Sequence, residues 1–430
     1  MVKKGVIILL VLTLIIPVFF VSSGFTKDKV QVRFWKFTDT FADATIEKYI
    51  KLWNQSHPDI EVIFETFPWG DYTGTKLSSA FATGQGPDVF FISPGDLLRY
   101  VNAGLAQPLE KYLSTEEIKD FLPATIQSVK VSGHIFAIPL EMEPVAIFYN
   151  KKIFKDLGLQ EPKIWSELLD TAHKLRKGEK YGIIVDVAPG YYQNFTWYPF
   201  IWSAGGDVIS KDWKRALMTS QAGVSALKLW GDFIKEDVAP KTLPGSGPDI
   251  TMLGNGIADM MVCGFWGVKQ LQADFPKYDF GVFPIPPIDN KHKSISVYGG
   301  WRLMVNAKSK NVEEAVKFAK WMGVDQIDFP LEWCTVANSK FSPRKSVLKA
   351  GEKYYSTPPN DIFSKVLQTA RSEPAFPPEI VKAVSDAIQG VMFGGLDAKV
   401  AAKQAETSIT DFLRNYKVVF QVCNRNFRGY

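Results

Sequence analysis

Two glutamates separated by one residue, Glu141 and Glu143, form the best candidate acid pair in the chain. At positions i and i+2 their side chains face the same side of an extended segment. The two carboxyl groups of a glycosidase must instead flank the scissile bond from opposite sides, which one strand face cannot provide. The spacing therefore favours hydrogen bonding to sugar hydroxyls, or simple exposure to solvent, over acid–base catalysis.

Aromatic residues are the second group that could do chemistry, and the chain holds 12 Trp, 15 Tyr and 31 Phe. Four of them recur at helical spacing and predict one buried stripe: Tyr191, Phe195, Tyr198 and Trp202. Gln193 and Trp197 lie four residues apart and off that stripe. An amide and an indole side by side could bind a polyol, although plain exposure fits the pattern equally well.

Two further aromatic segments follow glycines. They are Trp266, two residues after Gly264, and the run Tyr298-Gly299-Gly300-Trp301. Each aromatic residue taken singly is more often a packing residue of the core. Several of them near predicted strand ends favour a site where a flat ligand stacks.

Several functions are excluded or made improbable by what the sequence lacks. It has no nucleophile elbow, phosphate loop, His-Glu-x-x-His motif or dinucleotide fingerprint. Its four histidines are scattered, and Cys263, Cys334 and Cys423 fit no zinc spacing, so we predict no catalytic residues, no metal and no cofactor, and buried thiols. The formal charge is only +5, with basic and acidic residues interleaved, which argues against a nucleic-acid partner.

The first 24 residues have the pattern of a secretory signal peptide. Lys3 and Lys4 precede an apolar run over 6–21, and Ser22-Ser23-Gly24 offers small residues for cleavage. The run is shorter than the ~20 residues that span a bilayer, so an uncleaved anchor is the weaker alternative. No Cys follows it that could carry a lipid. We predict a periplasmic or otherwise extracytoplasmic protein with no lipid anchor.

Strand and helix patterns alternate along the rest of the chain. Val30–Phe37 is typical of a strand, and apolar residues within 46–53 then recur at i, i+3, i+4 and i+7, as in an amphipathic helix. The alternation restarts after His134, which predicts an α/β fold with mostly parallel sheets flanked by helices. The later predicted elements include strand Phe280–Phe283 and helices Trp165–Leu175 and Val224–Glu236.

Proline-bearing segments interrupt this alternation twice. The prolines are Pro139 and Pro144 in the first segment, and Pro284, Pro286 and Pro287 in the second. Because proline fixes φ, such segments make stiff connections between lobes. We predict two lobes with a ligand cleft beyond the strand ends. The N-terminal lobe would comprise 28–138 and 292–338, and the C-terminal lobe 139–291 and 339–430.

Several short motifs occur in an order and spacing that are specific when taken together. They are Gly86-Pro87-Asp88-Val89, the segment 149–154, Trp165-Ser166-Glu167-Leu168, the segment 255–266 and Gly299-Gly300. Together they resemble the family 1 extracellular solute-binding proteins, the maltose-binding protein class, over roughly residues 30–412. The resemblance implies a two-lobe periplasmic-binding-protein fold of type II. It also implies a protein that binds a mono- or oligosaccharide between its lobes and delivers it to the permease subunits of an ABC importer.

The resemblance also implies ligand-binding positions. Trp35, Asp39, Glu143 and Trp266 match family positions, and the match around 193–197 is looser. With the residues singled out above, the predicted ligand-binding set is Trp35, Asp39, Glu141, Glu143, Gln193, Asn194, Trp197, Trp266, Tyr298, Gly299, Gly300 and Trp301. Trp266 would be the main stacking residue and Glu143 a main polar anchor. We expect a monomer.

Two other classes of function stay open at this point. One is a secreted glycoside hydrolase. The other keeps the fold but binds a peptide, a polyamine or an anion. A cationic ligand would need more acids than Asp39, Glu141 and Glu143, and an anion would need an Arg or a helix N-terminus.

Overall fold

The computed structural model of the chain describes residues 29–40, 42–244 and 249–416. The predicted signal peptide and Cys423 lie outside these ranges. Within them, Cys263 and Cys334 are buried free thiols. No helix in the described residues is both long enough and apolar enough to cross a bilayer.

Two sheets form the framework of the protein. The strands are β1 Val30–Phe37, β2 Ile60–Phe67, β3 Val89–Ile92, β4 Lys130–Val131, β5 His134–Ile135, β6 Ile138–Pro139, β7 Val145–Asn150, β8 Tyr181–Ile184, β9 Ala258–Gly264, β10 Phe280–Phe283, β11 Val297–Tyr298, β12 Arg302–Val305 and β13 Arg371–Ser372. The first sheet has the order β2-β1-β3-β12-β6 and the second β10-β7-β9-β8. Two short ribbons, β4-β5 and β11-β13, complete the pairing.

Both sheets are mixed, which corrects the expectation of mostly parallel pairing. β1 pairs in parallel with β2 and β3, but β12 runs antiparallel to β3 and to β6. In the second sheet only β8 and β9 are parallel. Alternating strands and helices predict parallel pairing for strands that are joined by helices within one lobe. The antiparallel strands β6, β7 and β12 instead lie next to segments that pass between the lobes, so the local alternation of strands and helices does not set their direction.

Helices cover the faces of both sheets. Their bounds are Asp43–Ser56, Trp69–Asp71, Leu77–Ala82, Leu97–Asn102, Thr115–Asp120, Pro123–Gln127, Lys151–Asp156, Trp165–Leu175, Tyr191–Ser203, Gln221–Lys235, Thr251–Gly254, Trp266–Asp274, Val312–Lys320, Asp328–Glu332, Lys345–Ala350, Glu352–Tyr355, Asn360–Thr369, Pro378–Met392 and Ala398–Asn415. The stripe predicted within 46–53 is confirmed, because the first helix buries Ile46, Tyr49, Ile50 and Trp53. The prediction of Trp165–Leu175 is confirmed at both ends.

The buried side chains fall into two regions. The first core draws its members from 32–140 and 301–337 and surrounds the first sheet. The second core draws its members from 142–298 and 341–409 and surrounds the second sheet. Within the described residues, the chain therefore passes between the two regions at three places, near residues 141, 299 and 339.

The second of these crossings lies later in the chain than the prolines suggested. Pro286 and Pro287 stay with the second lobe, because their carbonyls accept hydrogen bonds from the Trp165 indole at 2.8 Å and the Trp165 backbone at 3.0 Å. Val297 is also part of the second core. The segment 292–300, which we expected in the N-terminal lobe, thus packs with the C-terminal lobe, and Trp301 is the first residue after it in the first core.

Candidate functional site

A cavity of about 370 Å³ lies between the two cores. Its lining residues from the first lobe and third crossing are Phe37, Thr38, Asp39, Thr40, Trp69, Ser93, Trp301, Ala337, Asn338 and Lys340. From the second lobe and its crossings come Glu143, Tyr191, Tyr192, Phe195, Asp249, Trp266, Lys269, Gln270, Gly299, Gly300 and Glu373. Both lobes therefore contribute aromatic faces and charged groups to one space.

Strand ends of the first sheet build one wall of the cavity. The residues 38–40 follow β1, Trp69 lies two residues after β2, and Ser93 follows β3. These three strands are parallel neighbours, so their carboxyl ends share one edge of the sheet. Ligands of open α/β sheets collect at this edge, where the polypeptide leaves the strands and its side chains converge.

Glycine packing positions Trp266 in the opposite wall. The indole begins the helix that follows β9 and is half-buried. A Cβ on Gly264 would lie 1.7 Å from an atom of the Trp266 ring, so no other residue fits there without moving the ring. The Trp266 ring lies directly over the backbone of Gly264, and the missing side chain of this glycine leaves the space that the indole occupies at the cavity.

Tyr191 and Tyr192 extend the aromatic wall from the start of the Tyr191–Ser203 helix. The ring of Trp69, from the first lobe, stacks against Tyr191 with centroids 6.0 Å apart and meets Tyr192 edge-on at 6.2 Å. Tyr192 also contacts the Trp266 ring at 6.3 Å. Aromatic contacts therefore run continuously from one lobe to the other along this side of the cavity.

The three crossing segments lie side by side at the base of the cavity. Met142 and Phe341 exchange backbone hydrogen bonds of 2.7 and 2.9 Å, which join the first crossing to the third. Leu140 donates to the Trp301 carbonyl at 3.1 Å, and Gly299 donates to the Glu143 carbonyl at 3.2 Å. The second crossing is thereby joined to the first.

A buried ion cluster ties the crossings together. The Lys340 ammonium lies 2.6 Å from Glu141 Oε1 and 3.1 Å from Glu143 Oε2, and all three side chains are nearly inaccessible to solvent. Glu141 also accepts hydrogen bonds from the Trp333 indole and from the Trp301 backbone N–H. Glu141 thus holds the segments in place behind the cavity, while Glu143 and Lys340 line it.

Burial shifts the pKa values of several groups here. Desolvation raises the pKa of Glu143 to about 7, although Lys340 opposes the shift. Desolvation likewise raises the pKa of Glu373 to about 8, helped by the nearby charge of Asp96. For Lys340, burial works against the ammonium, but the attraction of Glu141 and Glu143 outweighs it and the pKa lies above the ordinary value.

These shifts predict that the unliganded protein becomes more stable as the pH falls from about 8 to about 5.5. Glu143, Glu373 and Asp186 all have raised pKa values in the folded state, because each is buried. The folded protein then binds protons that the unfolded chain has already released. Each such group changes the free energy of unfolding by up to about 1.4 kcal/mol per pH unit in this window.

Urea unfolding at a series of pH values would measure this effect. The contribution of these three acids to the free energy of unfolding is greatest near the ordinary carboxyl pKa, and it is lost as the pH rises through their folded-state pKa values of about 7 to 8. Acids with lowered pKa, such as Asp120, act only below this window. Glu143→Gln and Glu373→Gln should each flatten the slope. A stability that increases steadily from pH 5.5 to pH 8 would contradict the assignment.

The turn at the second crossing predicts a strong effect of one added methyl group. Gly300 has φ +104°, and its Cβ would lie 2.2 Å from the Glu141 carbonyl oxygen. Gly104 has φ +65°, but nothing lies within 4 Å of its Cβ. Gly104→Ala should lower the free energy of unfolding by about 1–2 kcal/mol, because alanine is disfavoured in the left-handed conformation. Gly300→Ala should cost clearly more in chemical unfolding, and equal losses would show that the close approach is relieved easily.

Half of the predicted ligand-binding residues lie at the cavity. They are Asp39, Glu143, Trp266, Gly299, Gly300 and Trp301. Glu141 and Tyr298 are buried behind it, Glu141 in the ion cluster and Tyr298 in the second core. Trp35 is not among the lining residues. Trp35 lies inside β1 and not beyond its end. Its indole donates to Glu65 and its ring packs against Phe67, both on the neighbouring strand β2, so the side chain belongs to the sheet.

Gln193, Asn194 and Trp197 also lie away from the cavity. The Gln193 amide donates to the Asp186 carbonyl at 3.0 Å, and the Asn194 amide donates to the Val381 carbonyl at 2.8 Å. Trp197 is fully buried. The prediction assumed a helix with one exposed face, but Tyr191–Ser203 is buried on all sides except at its first residue. The half of the helix away from the cavity packs inside the second lobe.

Several lining residues were not among those predicted from the sequence. Trp69 could have been, because an aromatic residue just after a predicted strand was the signal used for Trp266. Tyr191 and Phe195 were assigned to a core stripe, which is correct for the burial of Phe195 but not for Tyr191, and which hides the contact of both with the cavity. Lys340 and Glu373 lie in irregular segments and carry no local pattern that would have revealed them.

The family profile described as "Bacterial extracellular solute-binding protein" matches residues 38–326, well over half of the chain. The chain belongs to this family. The resemblance inferred from the motifs is thereby confirmed. Among curated relatives, the solute-binding protein is 30% identical over 269 residues to the maltotriose-binding protein of Pyrococcus abyssi, an alignment that covers 61% of this chain and 56% of that one. It thus spans little more than half the length of that relative.

Other comparisons cover more of this solute-binding protein. It is 24% identical to the multiple sugar-binding protein of Streptococcus mutans, over 70% of this chain and 73% of that one. A solved ABC-transporter solute-binding protein of Thermotoga lettingae, bound to α-D-tagatose, superposes with a TM-score of 0.81 and 26% identity. That superposition covers 90% of this chain and 100% of the other. The two-lobe α/β fold of type II is therefore confirmed.

Proposed function

We propose that this protein binds a sugar in the cavity between its lobes and delivers it to an ABC importer. The observation that carries the proposal is the lining of one cavity by aromatic rings and carboxylates from both lobes. The two faces of a sugar ring are apolar and its rim is a belt of hydroxyls. Aromatic faces and charged acceptors are the matching chemistry, and each charge-assisted hydrogen bond contributes about 1.5–3 kcal/mol.

The ligand contacts we propose come from both lobes. They are Asp39, Glu143, Trp266, Gly299, Gly300 and Trp301 from the sequence-based set, together with Trp69, Tyr191, Lys340 and Glu373. The printed names of relatives support this class of ligand, since one is a maltotriose-binding protein, another a multiple sugar-binding protein, and a third was solved with tagatose. No cofactor is required for such binding.

A thermal-shift screen against mono- and oligosaccharides tests the proposal. A ligand present at 100 times its dissociation constant stabilises the folded state by about 2.7 kcal/mol, which gives a clear rise in Tm. Di- and tripeptides, spermidine and phosphate serve as comparison ligands for the other solute classes. Stabilisation by one of these, with no response to any sugar, would overturn the proposal.

We also propose that the protein does not cleave its ligand. Its relatives are binding proteins, and Glu143, the acid of the sequence-based pair that lines the cavity, is already ion-paired with Lys340. The expected result is unchanged sugar after prolonged incubation with purified protein, measured by chromatography. Release of shorter sugars would instead support the glycoside hydrolase alternative.

Export and assembly complete the proposal. We propose cleavage near Gly24, an extracytoplasmic location without a lipid anchor, a monomeric state and a membrane permease as partner. N-terminal sequencing of the mature protein would locate the cleavage, and sedimentation would measure the molecular mass. The family description as extracellular supports the location.

A further inference from the structure

The charges that line the cavity are unbalanced toward negative. The lining carboxylates are Asp39, Glu143, Asp249 and Glu373, and the lining cations are Lys269 and Lys340. A cationic ligand would need more acids than Asp39, Glu141 and Glu143. The fold brings two further acids, Asp249 and Glu373, to the same space. Among the described residues, four lining acids thus face two lining lysines.

The cations near the buried end of the cavity are already engaged. Lys340 is shared between Glu141 and Glu143, at 2.6 and 3.1 Å. Arg302 lies fully buried behind the lining, where its guanidinium donates to the Gly299 and Gly300 carbonyls and to Ser128 Oγ. Among the described residues no ion pair joins Arg302 to either cavity glutamate.

Glu373 is the clearest unbalanced group. Its side chain lines the cavity, the residue is only 7% exposed, and no Lys, Arg or His of the described chain lies within ion-pair distance of it. A Cβ on Gly95 would lie 2.6 Å from Glu373 Oε1, so the carboxylate rests against the backbone of the first lobe. The charge of the buried Arg302 and the Gly95 backbone N–H favour the ionised form of Glu373, but they do not overcome its desolvation. A buried carboxylate that is only partly compensated is protonated or takes a cation from a ligand.

Glu143 and Glu373 flank the same turn. The Glu373 backbone donates to the Tyr298 carbonyl at 3.0 Å, and the Gly299 backbone donates to the Glu143 carbonyl at 3.2 Å. A Cβ on Gly299 would lie 3.8 Å from Glu143 Oε1, which brings that carboxylate close to the turn. The backbones of these two buried acids thus lie on either side of Gly299, both side chains line the same cavity, and the charge of Glu143 helps to raise the pKa of Glu373.

We infer that the sugar bound in this cavity carries a positive charge, as a primary ammonium group that lies between Glu143 and Glu373. The inference rests on the proposed function and specifies its ligand. The raised pKa values of both glutamates agree with it, because burial disfavours their ionised forms and the charges of Lys340 and Arg302 do not fully offset that burial. An ammonium would stabilise both ionised carboxylates and also favour the faces of nearby aromatic rings.

Calorimetry with matched sugars tests the inference. Each sugar of the panel is titrated beside its 2-amino-2-deoxy counterpart and its N-acetylated form, for example D-glucose, D-glucosamine and N-acetyl-D-glucosamine. The amino sugar carries an ammonium group where the parent sugar has a hydroxyl. Acetylation removes that charge, so the N-acetylated form is neutral. We expect the amino form of the best-bound sugar to bind at least tenfold more tightly than both others.

Glu373→Gln tests which residue recognises the charge. The variant keeps the shape of the side chain, and we expect the ratio of amino-sugar to neutral-sugar affinity to fall at least tenfold. Glu116→Gln, an acid on the outer surface with 81% side-chain exposure, is the matched control and should leave that ratio unchanged. A circular dichroism spectrum equal to that of the wild type would verify folding.

The possible outcomes separate this inference from the proposed function. If neutral sugars bind as tightly as their amino forms throughout the panel, or if Glu373→Gln leaves the ratio unchanged, the inference is wrong and sugar binding still stands. If neither neutral nor amino sugars bind, both fail. A response to spermidine or choline without any sugar would likewise overturn both, since the cation would then not belong to a sugar.

Discussion

Replacing Lys340 with methionine should lower the free energy of unfolding by about 3–5 kcal/mol, the loss typical when one partner of a buried ion pair is removed. The Lys340 side chain is 4% exposed and its ammonium contacts both Glu141 and Glu143. Methionine has a similar length and keeps most of the packing. The cost therefore arises because two buried carboxylates lose their shared counter-charge, not because a void forms.

The loss should also depend on pH. Without Lys340, Glu143 binds a proton even more readily, so acidification relieves part of the electrostatic cost and the variant recovers stability between about pH 8 and pH 6. Lys349→Met, on the exposed side of the Lys345–Ala350 helix, is the matched control and should change stability by no more than about 0.5 kcal/mol. Urea unfolding of both variants provides the comparison. A loss for Lys340→Met as small as that of the control would mean that the ion cluster contributes nothing net to stability.

The fold was largely readable from the sequence because its helices and strands have strong local periodicity. The stripe of the first helix and the helix Trp165–Leu175 bury the residues that their spacing predicted. The direction of β12 and the position of the second crossing were not readable. Both depend on how segments far apart in the chain pair with each other, which local pattern does not encode.

The candidate site divides in the same way. Trp266 and Glu143 follow local signals, a glycine turn after a buried strand and an acid on a crossing segment. Glu373 and Lys340 come from irregular segments, and the contact of Lys340 with Glu141 joins residues 199 positions apart. Most of the cavity charge therefore depends on long-range contacts, and only the structure shows the excess of carboxylates.

The Tyr191–Ser203 helix shows a different limit of pattern reasoning. Twelve of its thirteen residues are buried, so it has no solvent-facing side from which a polar face could be read. Gln193 and Asn194 satisfy their amides inside the second lobe, while Tyr191 and Tyr192, at the start of the helix, reach the cavity. In this buried helix, one side of its first turns reaches the cavity, at Tyr191, Tyr192 and Phe195, and the other side packs inside the second lobe.

Replacing Trp266 with alanine should weaken sugar binding by at least about 2 kcal/mol, or roughly thirtyfold, because central tryptophans are typical hot spots. The indole lines the cavity and is fixed there by its contact with Gly264 and by the neighbouring ring of Tyr192. Removing it takes away the largest apolar face of this wall. Titration calorimetry with the sugar identified by the thermal-shift screen would measure the change.

Two further variants make the result specific. Trp35→Ala removes an indole that packs in the first lobe outside the cavity, so it should lower stability while sugar affinity stays within about twofold of the wild type, ~0.4 kcal/mol.

Glu143→Gln keeps the shape at the cavity and removes only the charge, so its loss of affinity should be smaller than that of Trp266→Ala for a neutral sugar and larger for an amino sugar. If Trp266→Ala and Glu143→Gln both bind within twofold of the wild type, the ligand lies elsewhere. Both tryptophans contact aromatic neighbours, but of the two only Trp266 lines the cavity, so a ligand between the lobes would separate their effects on affinity.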